Sequence, residues 1–297
     1  MNNLQRLWAN GSVKFGVVVL GTMILVALLA PFLGTVDPSA MDSNFINKAV
    51  GVSGQFALLD GSTVQQTFWL GTDSFGRDLY SRVVYGARVS LGVGACTAVL
   101  ALVLGGGMGM LAGYFRTVDA VLMRFMDGLM AIPAILLAIA LVAALGATIS
   151  TVVVAIAIPE VPRVTRLVRS LVLSLREEPF VEAARALATP THIILFRHIL
   201  PNALAPLIVQ GTFVAASAVL TEAILSFLGL GLPPDIPTWG NIMAEGRVQF
   251  SQYPGNVLYP ALFLVPTVLA VNLLGDGLRD VLAVSYTHLT LPTILRV

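Results

Sequence analysis

The chain has 297 residues, of which 57% are hydrophobic and 11% are charged, and its formal net charge is +1. A soluble domain carries about a quarter charged residues, so this composition indicates a membrane protein. The 17 Lys and Arg residues nearly balance the 16 Asp and Glu residues, which gives no support to nucleic-acid binding. The single cysteine, Cys96, excludes an intramolecular disulfide, and the three histidines lie in no metal-ligand spacing.

Six apolar stretches are long enough to cross a bilayer, which requires about 20 largely apolar residues. They cover residues 14–34, 88–113, 119–145, 147–168, 203–227 and 257–275. The first stretch lacks a small-x-small cleavage site and five further stretches follow it, so we predict an uncleaved first span and not a removed signal peptide. The pattern therefore predicts an all-α polytopic membrane protein with six transmembrane helices.

The positions of the basic residues predict that both termini are cytoplasmic. With that orientation the inner segments hold 12 of the 17 Lys and Arg residues, as the positive-inside rule requires. The polar segment 35–87 then faces outward, and its Asp60-Gly61 pair between β-prone runs predicts a hairpin. Residues 177–202 face the cytoplasm, between the fourth and fifth spans.

The second span carries a row of glycines at four-residue spacing, which comprises Gly105, Gly109 and Gly113. Small residues in such a row let two helices approach closely. Packing inside the bundle accounts for the row better than contact with a substrate does.

Few ionisable residues fall inside the predicted spans, where ion-coupled transport would need them. Asp127 follows Arg124 by three positions, and we expect a local ion pair between them. Glu222 lies about 19 residues into the fifth span, which places it about 29 Å along the helix, near the outer surface. We expect Glu222 to anchor hydrogen bonds; a proton relay is the less favoured alternative.

The sequence shows no catalytic motif. Its two lysines, Lys14 and Lys48, lie in no GxxxxGK[ST] arrangement, so the chain has no P-loop for nucleotide hydrolysis. It has no GxSxG motif and no pair of intramembrane Asp residues. We therefore predict that the chain is not an enzyme and that it binds no cofactor or metal.

The cytoplasmic segment 177–202, EEPFVEAARALATPTHIILFRHILPN, predicts two short helices joined by a sharp bend. The first helix starts at Pro179, a residue suited to a first helical turn. One stripe of this helix is apolar and comprises Phe180, Ala183, Ala184 and Leu187. Glu182 and Arg185 lie three residues apart on another stripe.

The second helix of this segment is predicted to start at Thr189-Pro190, as its N-cap and first residue. We expect it to present Ile193, Phe196 and Leu200 on one face and to end before Pro201. Such a pair of helices fits a groove on a partner protein. An amphipathic helix that lies at the lipid surface is the alternative.

The sequence EAARALA at 182–188, followed by LP at 200–201, resembles the EAA loop of binding-protein-dependent ABC importer permeases. Three further segments resemble the peptide/nickel branch of that family, specifically the second permease of its heterodimer pair. They are GTDSFGRDLYSRVVYGARVSL (71–91), LSFLGLGLPPDIPTWGNIM (225–243) and NLLGDGLRD (272–280). The resemblance extends from about residue 12 to residue 282, in the family's order.

The resemblance implies a type I importer permease core in which the EAA loop forms a coupling helix that docks on a cytoplasmic ATPase. The coupling residues that it implies are Glu182, Ala183, Ala184, Arg185, Ala188, Thr189, Pro190, Leu200 and Pro201. The extracytoplasmic signature residues that it implies are Gly71, Thr72, Asp73, Gly76, Arg77, Asp78, Trp239 and Gly240.

The implied function is that of a permease subunit in an ATP-driven importer of the bacterial cytoplasmic (inner) membrane, which moves peptides, nickel or related small solutes by alternating access. Its implied partners are a homologous permease, two ATPase subunits that bind ATP and Mg²⁺, an extracytoplasmic solute-binding protein and the membrane lipid. A secondary transporter would need inverted repeats and midplane ion ligands, and the sequence shows neither. A non-transporting membrane scaffold is the other alternative.

The chain departs from the family pattern at two places. Ala188 stands where the family usually has Gly, and an alanine costs about 1 kcal/mol there if a left-handed helix exit is kept. Thr189-Pro190 is the alternative source of the bend. In IPEVPRVTRLVRS (158–170), where the family often places an aromatic residue before the Arg series, we expect two prolines to alter the end of the fourth span.

The sequence divides into a cytoplasmic N-terminus with the first span (1–34), an extracytoplasmic segment (35–87), a five-helix core (88–283) and a tail (284–297). The tail begins VSYTHLTLPT, which resembles an in-frame translation of a mosaic-end adapter from transposon-based sequencing libraries. We hypothesise that this tail, including His288, is not native; a short native cytoplasmic tail is the alternative.

Overall fold

The computed structural model describes the backbone of Trp8 and residues 10–290, and the side-chain surroundings as far as residue 280. Its helices are α1 (Gly11–Leu29), α2 (Leu79–Tyr114), α3 (Arg116–Met130), α4 (Ala134–Leu145), α5 (Ile149–Leu175), α6 (Pro179–Ala186), α7 (Thr191–Phe227), α8 (Trp239–Gly246) and α9 (Gly255–Thr290). Two strands, β1 (Ser53–Ala57) and β2 (Thr63–Thr67), lie between α1 and α2. Residues 291–297 lie outside the described residues, and the hypothesis about the tail 284–297 stays a prediction.

Four helices in the described part of the chain are long and apolar enough to cross a membrane: α1 with the turn that follows it, α2, α7 and α9. Helices α3 and α4 make a fifth span if they are counted together. Helix α5 has 27 residues but carries Glu160 and three arginines, so it is less apolar than these four. The all-α class is confirmed, whereas the count of six spans is not.

The prediction of one continuous span over residues 119–145 is wrong, because α3 and α4 meet at an angle of 89°. The bend lies at Pro133, whose ψ of 128° is extended and which precedes the first residue of α4. A proline lacks the backbone N–H group and disfavours helical geometry at the residue before it, here Ile132. Apolar composition alone does not report this break.

Helices α2 and α5 are held together by the predicted glycine row. A Cβ atom added at Gly109 would lie 2.6 Å from Cβ of Val168, which is closer than side chains approach one another. Gly105 and Gly113 meet valines of α5 in the same way. The packing role predicted for this row is therefore confirmed.

Helix α5 continues through both of its prolines, Pro159 and Pro162, and ends at Leu175. The expectation that these prolines alter the end of the fourth span is therefore wrong. Each proline removes one backbone hydrogen bond, but tight packing of the same helix on α2 maintains its course.

The segment between α1 and α2 folds around a hairpin, as predicted. Strands β1 and β2 pair antiparallel with Phe56 opposite Val64. The predicted Asp60-Gly61 pair lies in the turn, where Gly61 has a φ of +82°. Phe56 and Phe68 are fully buried in a small apolar core of this segment.

The second span begins earlier than predicted, since α2 starts at Leu79 and not near residue 88. Asp78 caps this helix, because its carboxylate accepts hydrogen bonds from the backbone N–H groups of Tyr80 and Ser81. Helix α2 therefore begins within the segment 35–87, and the boundary of the extracytoplasmic segment at residue 87 stays a prediction. The first turns of α2 contain polar residues such as Arg82, which hid them from a search for apolar runs.

The predicted ion pair between Arg124 and Asp127 is wrong. Asp127 pairs with Arg166 of α5 at 2.6 Å, and Asp119 pairs with Arg169 of the same helix. Because α3 lies beside α5, these contacts between helices replace the contact within one helix.

Glu222 is fully buried in α7 and acts as the hydrogen-bond anchor that the sequence predicts. Its carboxylate accepts hydrogen bonds from the hydroxyls of Ser226, at 2.7 Å, and of Ser90 in α2, at 3.5 Å. The Ser90 hydroxyl in turn accepts the backbone N–H of Trp239 in α8. Glu222 thus contributes to the joint between α2, α7 and α8.

Candidate functional site

The two groups of predicted site residues lie at opposite ends of α2. The signature residues that were predicted to be extracytoplasmic lead into the start of this helix at Leu79. At its other end, the ring of Tyr114 lies 5.3 Å below the guanidinium carbon of Arg185 in α6. A helix of 36 residues is about 54 Å long, so α2 connects the two groups across the whole molecule.

Helix α6 is attached to the bundle by its inner face. It begins at Pro179, as predicted, and buries Val181 and Ala184. These two side chains belong to an apolar cluster with Ile194 and Ile199 of α7 and with valines of α5. This attachment fixes α6 to two of the long helices.

The outer face of α6 and of the start of α7 is apolar and open. Leu187 is 82% exposed and Phe196 is 62% exposed, and Phe180 and Ala183 are also exposed. The predicted apolar stripe therefore lies on the open side of α6, except for Ala184, which is buried. We call Phe180, Ala183, Leu187 and Phe196 the coupling face.

Beside the coupling face lies a polar cleft of about 410 Å³, lined by Tyr114, Arg176, Glu177, Glu182 and Arg185. Arg176 donates a hydrogen bond to the backbone carbonyl of Gly113, at 3.1 Å. This bond joins the end of α5 to the end of α2. Glu182 and Arg185 project from α6 as an exposed pair of opposite charges.

Ala188 adopts the left-handed conformation, with a φ of +55°. Its N–H donates to the carbonyl of Arg185, and the N–H of Thr189 donates to the carbonyl of Ala184, at 2.9 and 3.0 Å. This pair of bonds is a Schellman motif, which usually has glycine at this position. The chain therefore keeps the helix exit that the family's glycine would provide, with an alanine.

The predicted start of the second helix at Thr189-Pro190 is wrong. Thr189 belongs to the Schellman motif of α6, and α7 starts at Thr191 after an extended Pro190. The carbonyl of Pro190 accepts the N–H groups of Ile193 and Ile194, so the backbone and not a threonine side chain begins the helix.

The predicted end of that helix before Pro201 is also wrong, because α7 runs through Leu200 and Pro201 into the bundle. A π-helical segment at Ile194–Ile199 precedes the proline, and the N–H of Leu200 donates to the carbonyl of Leu195. A π-turn widens the helix locally, which accommodates a residue without an N–H group. The coupling segment thus continues directly into a membrane helix.

A buried network of charges lies at the end of the molecule where α2 begins. Arg77 pairs with Asp73 at 2.6 Å and with Glu245 of α8. Arg82 of α2 also pairs with Glu245, at 3.1 Å, and both arginines are at most 2% exposed. Burial raises the pKa of the Glu245 carboxyl, whereas the two guanidinium groups lower it. We call Asp73, Arg77, Arg82 and Glu245 the external charge network.

The sequence indicated Asp73 and Arg77 but missed Arg82 and Glu245. Both stand in sequence beside recognised motifs, in GRDLYSRVV and after WGNIM. A charged residue at the start of an otherwise apolar helix was the available signal for Arg82. Glu245 pairs with Arg77 and Arg82 only because α8 packs against α2, and the spacing of residues in the sequence does not indicate that contact.

The remaining signature residues on the external loop shape the backbone around this network. Gly71 and Gly76 have φ values of +78° and +73°. A Cβ atom added at Gly76 would lie 2.0 Å from the backbone oxygen of Asp42. The hydroxyl of Thr72 accepts the N–H of Lys48 at 2.8 Å. Burial raises the pKa of the helix-capping Asp78.

Trp239 and Gly240 fix α8 against the long helices. The indole Nε1–H of Trp239 donates to the backbone carbonyl of Val83 in α2, at 3.1 Å. A Cβ atom added at Gly240 would lie 2.7 Å from Cα of Ala223 in α7. The signature residues therefore form a rigid joint and not an open ligand pocket.

The arrangement is mechanical in character, since it joins an exposed apolar face to a buried joint through long helices. Between Trp8 and residue 280, no group of three or more His, Cys, Asp or Glu side chains is placed to hold a metal ion. The geometry places an exposed apolar face at one end of α2 and a buried charge network at the other.

Comparison with known proteins agrees with this geometry. Residues 94–287 match the family described as "Binding-protein-dependent transport system inner membrane component". The dipeptide transport system permease protein DppC of Alkalihalophilus pseudofirmus is 43% identical over 94% of this chain and 87% of that protein. The oligopeptide transport system permease protein OppC of Bacillus subtilis is 34% identical over 94% of this chain and 87% of that protein.

The fold is similar to that of a chain in an inward-facing structure of the MetNI methionine ABC transporter. The TM-score is 0.53 at 21% sequence identity, and the match covers 68% of this chain and 97% of that chain. The resemblance drawn from the sequence motifs is thereby confirmed. The chain belongs to the family of binding-protein-dependent transport system inner membrane components, the multi-pass permease subunits of ABC importers.

Proposed function

We propose that this chain moves peptides across the bacterial cytoplasmic membrane, as one permease subunit of an ATP-driven importer. The names of two relatives, a dipeptide and an oligopeptide transport system permease protein, support peptides as the solute. Nickel and related small solutes are the alternative cargo. A solute-binding protein delivers the solute from outside, as in other members of the family.

The proposed assembly contains this chain, a homologous permease with which it forms a heterodimer, and two cytoplasmic ATPase subunits. ATP and Mg²⁺ bind to the ATPases and not to this chain, whose two lysines lie outside any P-loop. Both termini of the chain are cytoplasmic in this proposal. The distribution of Lys and Arg supports that orientation.

The observation that carries the proposal is the coupling face. Leu187 and Phe196 are large, apolar and exposed. The segment that carries them packs against the bundle through the buried side chains on its opposite face. Such a surface fits a groove on a partner, with apolar anchors in the groove and charged residues at its rim. Glu182 and Arg185 supply the charged rim. The groove belongs to an ATPase subunit.

The attachment of α6 explains how movement of the ATPases reaches the membrane. Val181 and Ala184 tie α6 to α5 and α7, so a displacement of α6 moves both helices. Arg176 and the Tyr114–Arg185 contact extend the connection to α2. ATP binding draws the ATPases together, and the bundle turns between inward-facing and outward-facing states.

The test is Glu182→Arg in the reconstituted complex of both permeases, both ATPases and the binding protein. The variant reverses a rim charge without touching the buried face of α6. We expect loss of ATPase co-purification and of binding-protein-stimulated ATP hydrolysis. The control is Asp60→Arg, which makes the same charge change at an exposed side chain in the hairpin turn, away from the coupling face; we expect ATPase binding to survive it.

If Glu182→Arg retains both ATPase binding and stimulated hydrolysis, the assignment of the coupling residues fails. The cargo is tested separately, by titrating the binding protein with peptides and with nickel chelates. Tight binding of a nickel chelate with no binding of any peptide would contradict the peptide assignment while leaving the coupling residues intact.

A further inference from the structure

Helix α4 and the first half of α5 form a helical hairpin with prolines at both of its ends. The two helices are joined by the short turn 146–148, and α4 packs mainly on α5. Pro133 precedes α4, at the bend of 89° between α3 and α4. Pro159 and Pro162 follow within α5. We call residues 134–158 the proline-bracketed hairpin.

The turn makes the proline-bracketed hairpin rigid within itself. Gly146 reverses the chain with a φ of +86°. The hydroxyl of Thr151 accepts the N–H of Thr148 at 2.9 Å, and the hydroxyl of Thr148 accepts the N–H of Thr151 at 3.3 Å. Ala138 and Val142 of α4 pack in one apolar cluster with buried side chains of α5. The hairpin can therefore move as one body.

The attachment of the hairpin to the rest of the molecule is entirely apolar among the described residues. Its polar side chains, Thr148, Ser150 and Thr151, bond only within the turn. It meets α2 and α7 through aliphatic side chains such as Val93 and Leu225. Apolar contacts have no preferred direction, so the hairpin can shift against these helices without breaking a specific bond.

The second half of α5, residues 163–176, is held by directional contacts instead. Arg166 and Arg169 pair with aspartates of α3, and Arg176 donates a hydrogen bond to the carbonyl of Gly113 in α2. Valines of this half share an apolar cluster with the buried side chains of α6. A displacement of α6 thus reaches this half of α5 directly, and the hairpin only through the turn between the two halves.

That turn is the weakest part of the α5 backbone. Pro159 and Pro162 have no N–H group, so the carbonyls of Ala155 and Ile158 receive no bond from the following turn of the helix. Helices bend at such positions. The turn also separates the two apolar clusters of α5, which hold Val152, Ala155 and Ile156 on one side and Val164, Val168 and Val172 on the other.

A buried carboxylate joins this turn to α7. Glu160 lies between the two prolines, and its Oε1 accepts the hydroxyl of Ser217 in α7 at 3.0 Å. Its Oε2 accepts a hydrogen bond from Nη1 of Arg163, also at 3.0 Å. Burial of a carboxylate is costly unless its oxygens are hydrogen-bonded. The bonds of Glu160 hold the weakened turn against α7 whichever way the helix bends.

We propose that the proline-bracketed hairpin swings as one body when the importer changes between its inward-facing and outward-facing states. Pro133 is one hinge, and the turn from Pro159 to Pro162 is the other. Glu160 is the positioning residue that keeps the second hinge on α7. This inference rests on the proposed function, since it assigns the moving part of a permease that ATPases drive.

Distances between spin labels test the movement directly. In a Cys96→Ser background, one pair of labels at Leu136→Cys and Ser170→Cys spans the second hinge. A control pair at Val121→Cys and Ser170→Cys lies within the body that the α3–α5 ion pairs hold together. Electron–electron resonance on the full complex compares the nucleotide-free state with the state trapped by ATP and vanadate. We expect the first distance to shift by a few Å and the control distance to stay constant.

The double variant Pro159→Ala, Pro162→Ala tests the hinge. Two restored backbone hydrogen bonds oppose the bend, so we expect the label shift to disappear and uptake to fall at least about tenfold, while ATPase binding is kept. The matched control is Pro260→Ala, Pro266→Ala, which makes the same two changes within α9, outside the hairpin. This control should keep both the label shift and uptake.

Variants of Glu160 test its positioning role through the amount of solute imported per ATP hydrolysed. Glu160→Leu should lower this ratio, and Glu160→Gln, which keeps an acceptor for Ser217, should restore most of it. Ser217→Ala should lower the ratio as well and add no further loss to Glu160→Leu, because both remove one bond. A purely structural role would lower the midpoint of thermal unfolding and leave the ratio unchanged.

The outcomes separate the hinge from the proposed function. An unchanged distance between the labels at 136 and 170 in the two states overturns the swinging hairpin. A proline double variant that keeps the label shift overturns the hinge, whether or not uptake falls. If the wild-type complex imports no peptide, the proposed peptide function fails, and the label distances with ATP and vanadate still decide whether the hairpin moves.

Discussion

The two ends of α2 use charged residues in opposite ways. At the end that begins with Leu79, Arg77 and Arg82 are buried and paired with carboxylates. At the end near Tyr114, Glu182 and Arg185 line an open cleft beside apolar side chains that nothing in the described chain covers. The difference separates a buried joint, which must keep its shape, from the proposed docking surface, which must stay accessible to its partner.

The external charge network fixes the relative positions of its helices but contributes little net free energy to folding. Burial of charges removes favourable hydration, and their attraction only offsets that loss. Arg82 illustrates the point, because its Nε and Nη1 atoms are buried and make no hydrogen bond within the described residues. Such a network fixes one arrangement of α2, α8 and the external loop, and it fails when one partner is removed.

The largest expected effect follows from breaking this network with Arg82→Met. The change leaves Glu245 with one cation in place of two and keeps the apolar stem, and loss of one partner of a buried pair costs about 3–5 kcal/mol. We expect a lower midpoint of thermal unfolding for the purified permease complex. Arg88→Met removes an exposed arginine two turns further along α2 and should change stability by less than about 0.5 kcal/mol. An equal decrease of the unfolding midpoint in the two variants would contradict the structural role of the external charge network.

A smaller effect is expected from Gly76→Ala in the external loop. The added methyl group meets the backbone oxygen of Asp42, and the positive φ adds strain, together about 1–3 kcal/mol. Protease cleavage of the external segment should accelerate. The matched control is Gly61→Ala, which has a similar φ of +82° but open space around it. If protease cleaves the two variants equally fast, the close approach of Gly76 to Asp42 does not stabilise the external segment.

The sequence predicted those features that depend on local pattern. The hairpin follows from Asp60-Gly61 between β-prone runs, and the contact of α2 with α5 follows from the four-residue spacing of glycines. Each feature is encoded by residues that lie close together in one segment of the sequence, so it does not depend on contacts with the rest of the chain. The resemblance of segment 177–202 to an EAA loop has the same local origin, because the motif EAARALA lies within two turns of helix.

The features that were missed depend on contacts between distant segments. Asp127 pairs with Arg166, which lies 39 positions away, because α3 packs on α5. Arg82 and Glu245 meet because α8 folds back onto α2. The continuation of α7 through Pro201 requires a π-helical segment that propensities do not report. In each case tertiary packing overrode the local preference.

The smallest expected effect on stability concerns the bend after α6, at Ala188. A left-handed residue lies near each end of α2, Gly76 near its start and Ala188 near its end, so the two positions can be compared. Gly76 has no Cβ atom to strain, whereas Ala188 holds a φ of +55° with one. Ala188→Gly removes this strain, worth about 1 kcal/mol, and adds freedom to the unfolded chain, which offsets part of it.

We therefore expect Ala188→Gly to raise the free energy of unfolding by at most about 1 kcal/mol and to keep ATPase binding. Ala188→Val, which is β-branched and so tolerates a positive φ poorly, should weaken ATPase binding because the Schellman motif opens and Leu187 changes direction. Affinity of the ATPase for the two variants measures the difference. Equal affinity would show that Thr189-Pro190 holds the bend without help from the left-handed residue, and the alanine in place of the family's glycine would then carry no mechanical consequence.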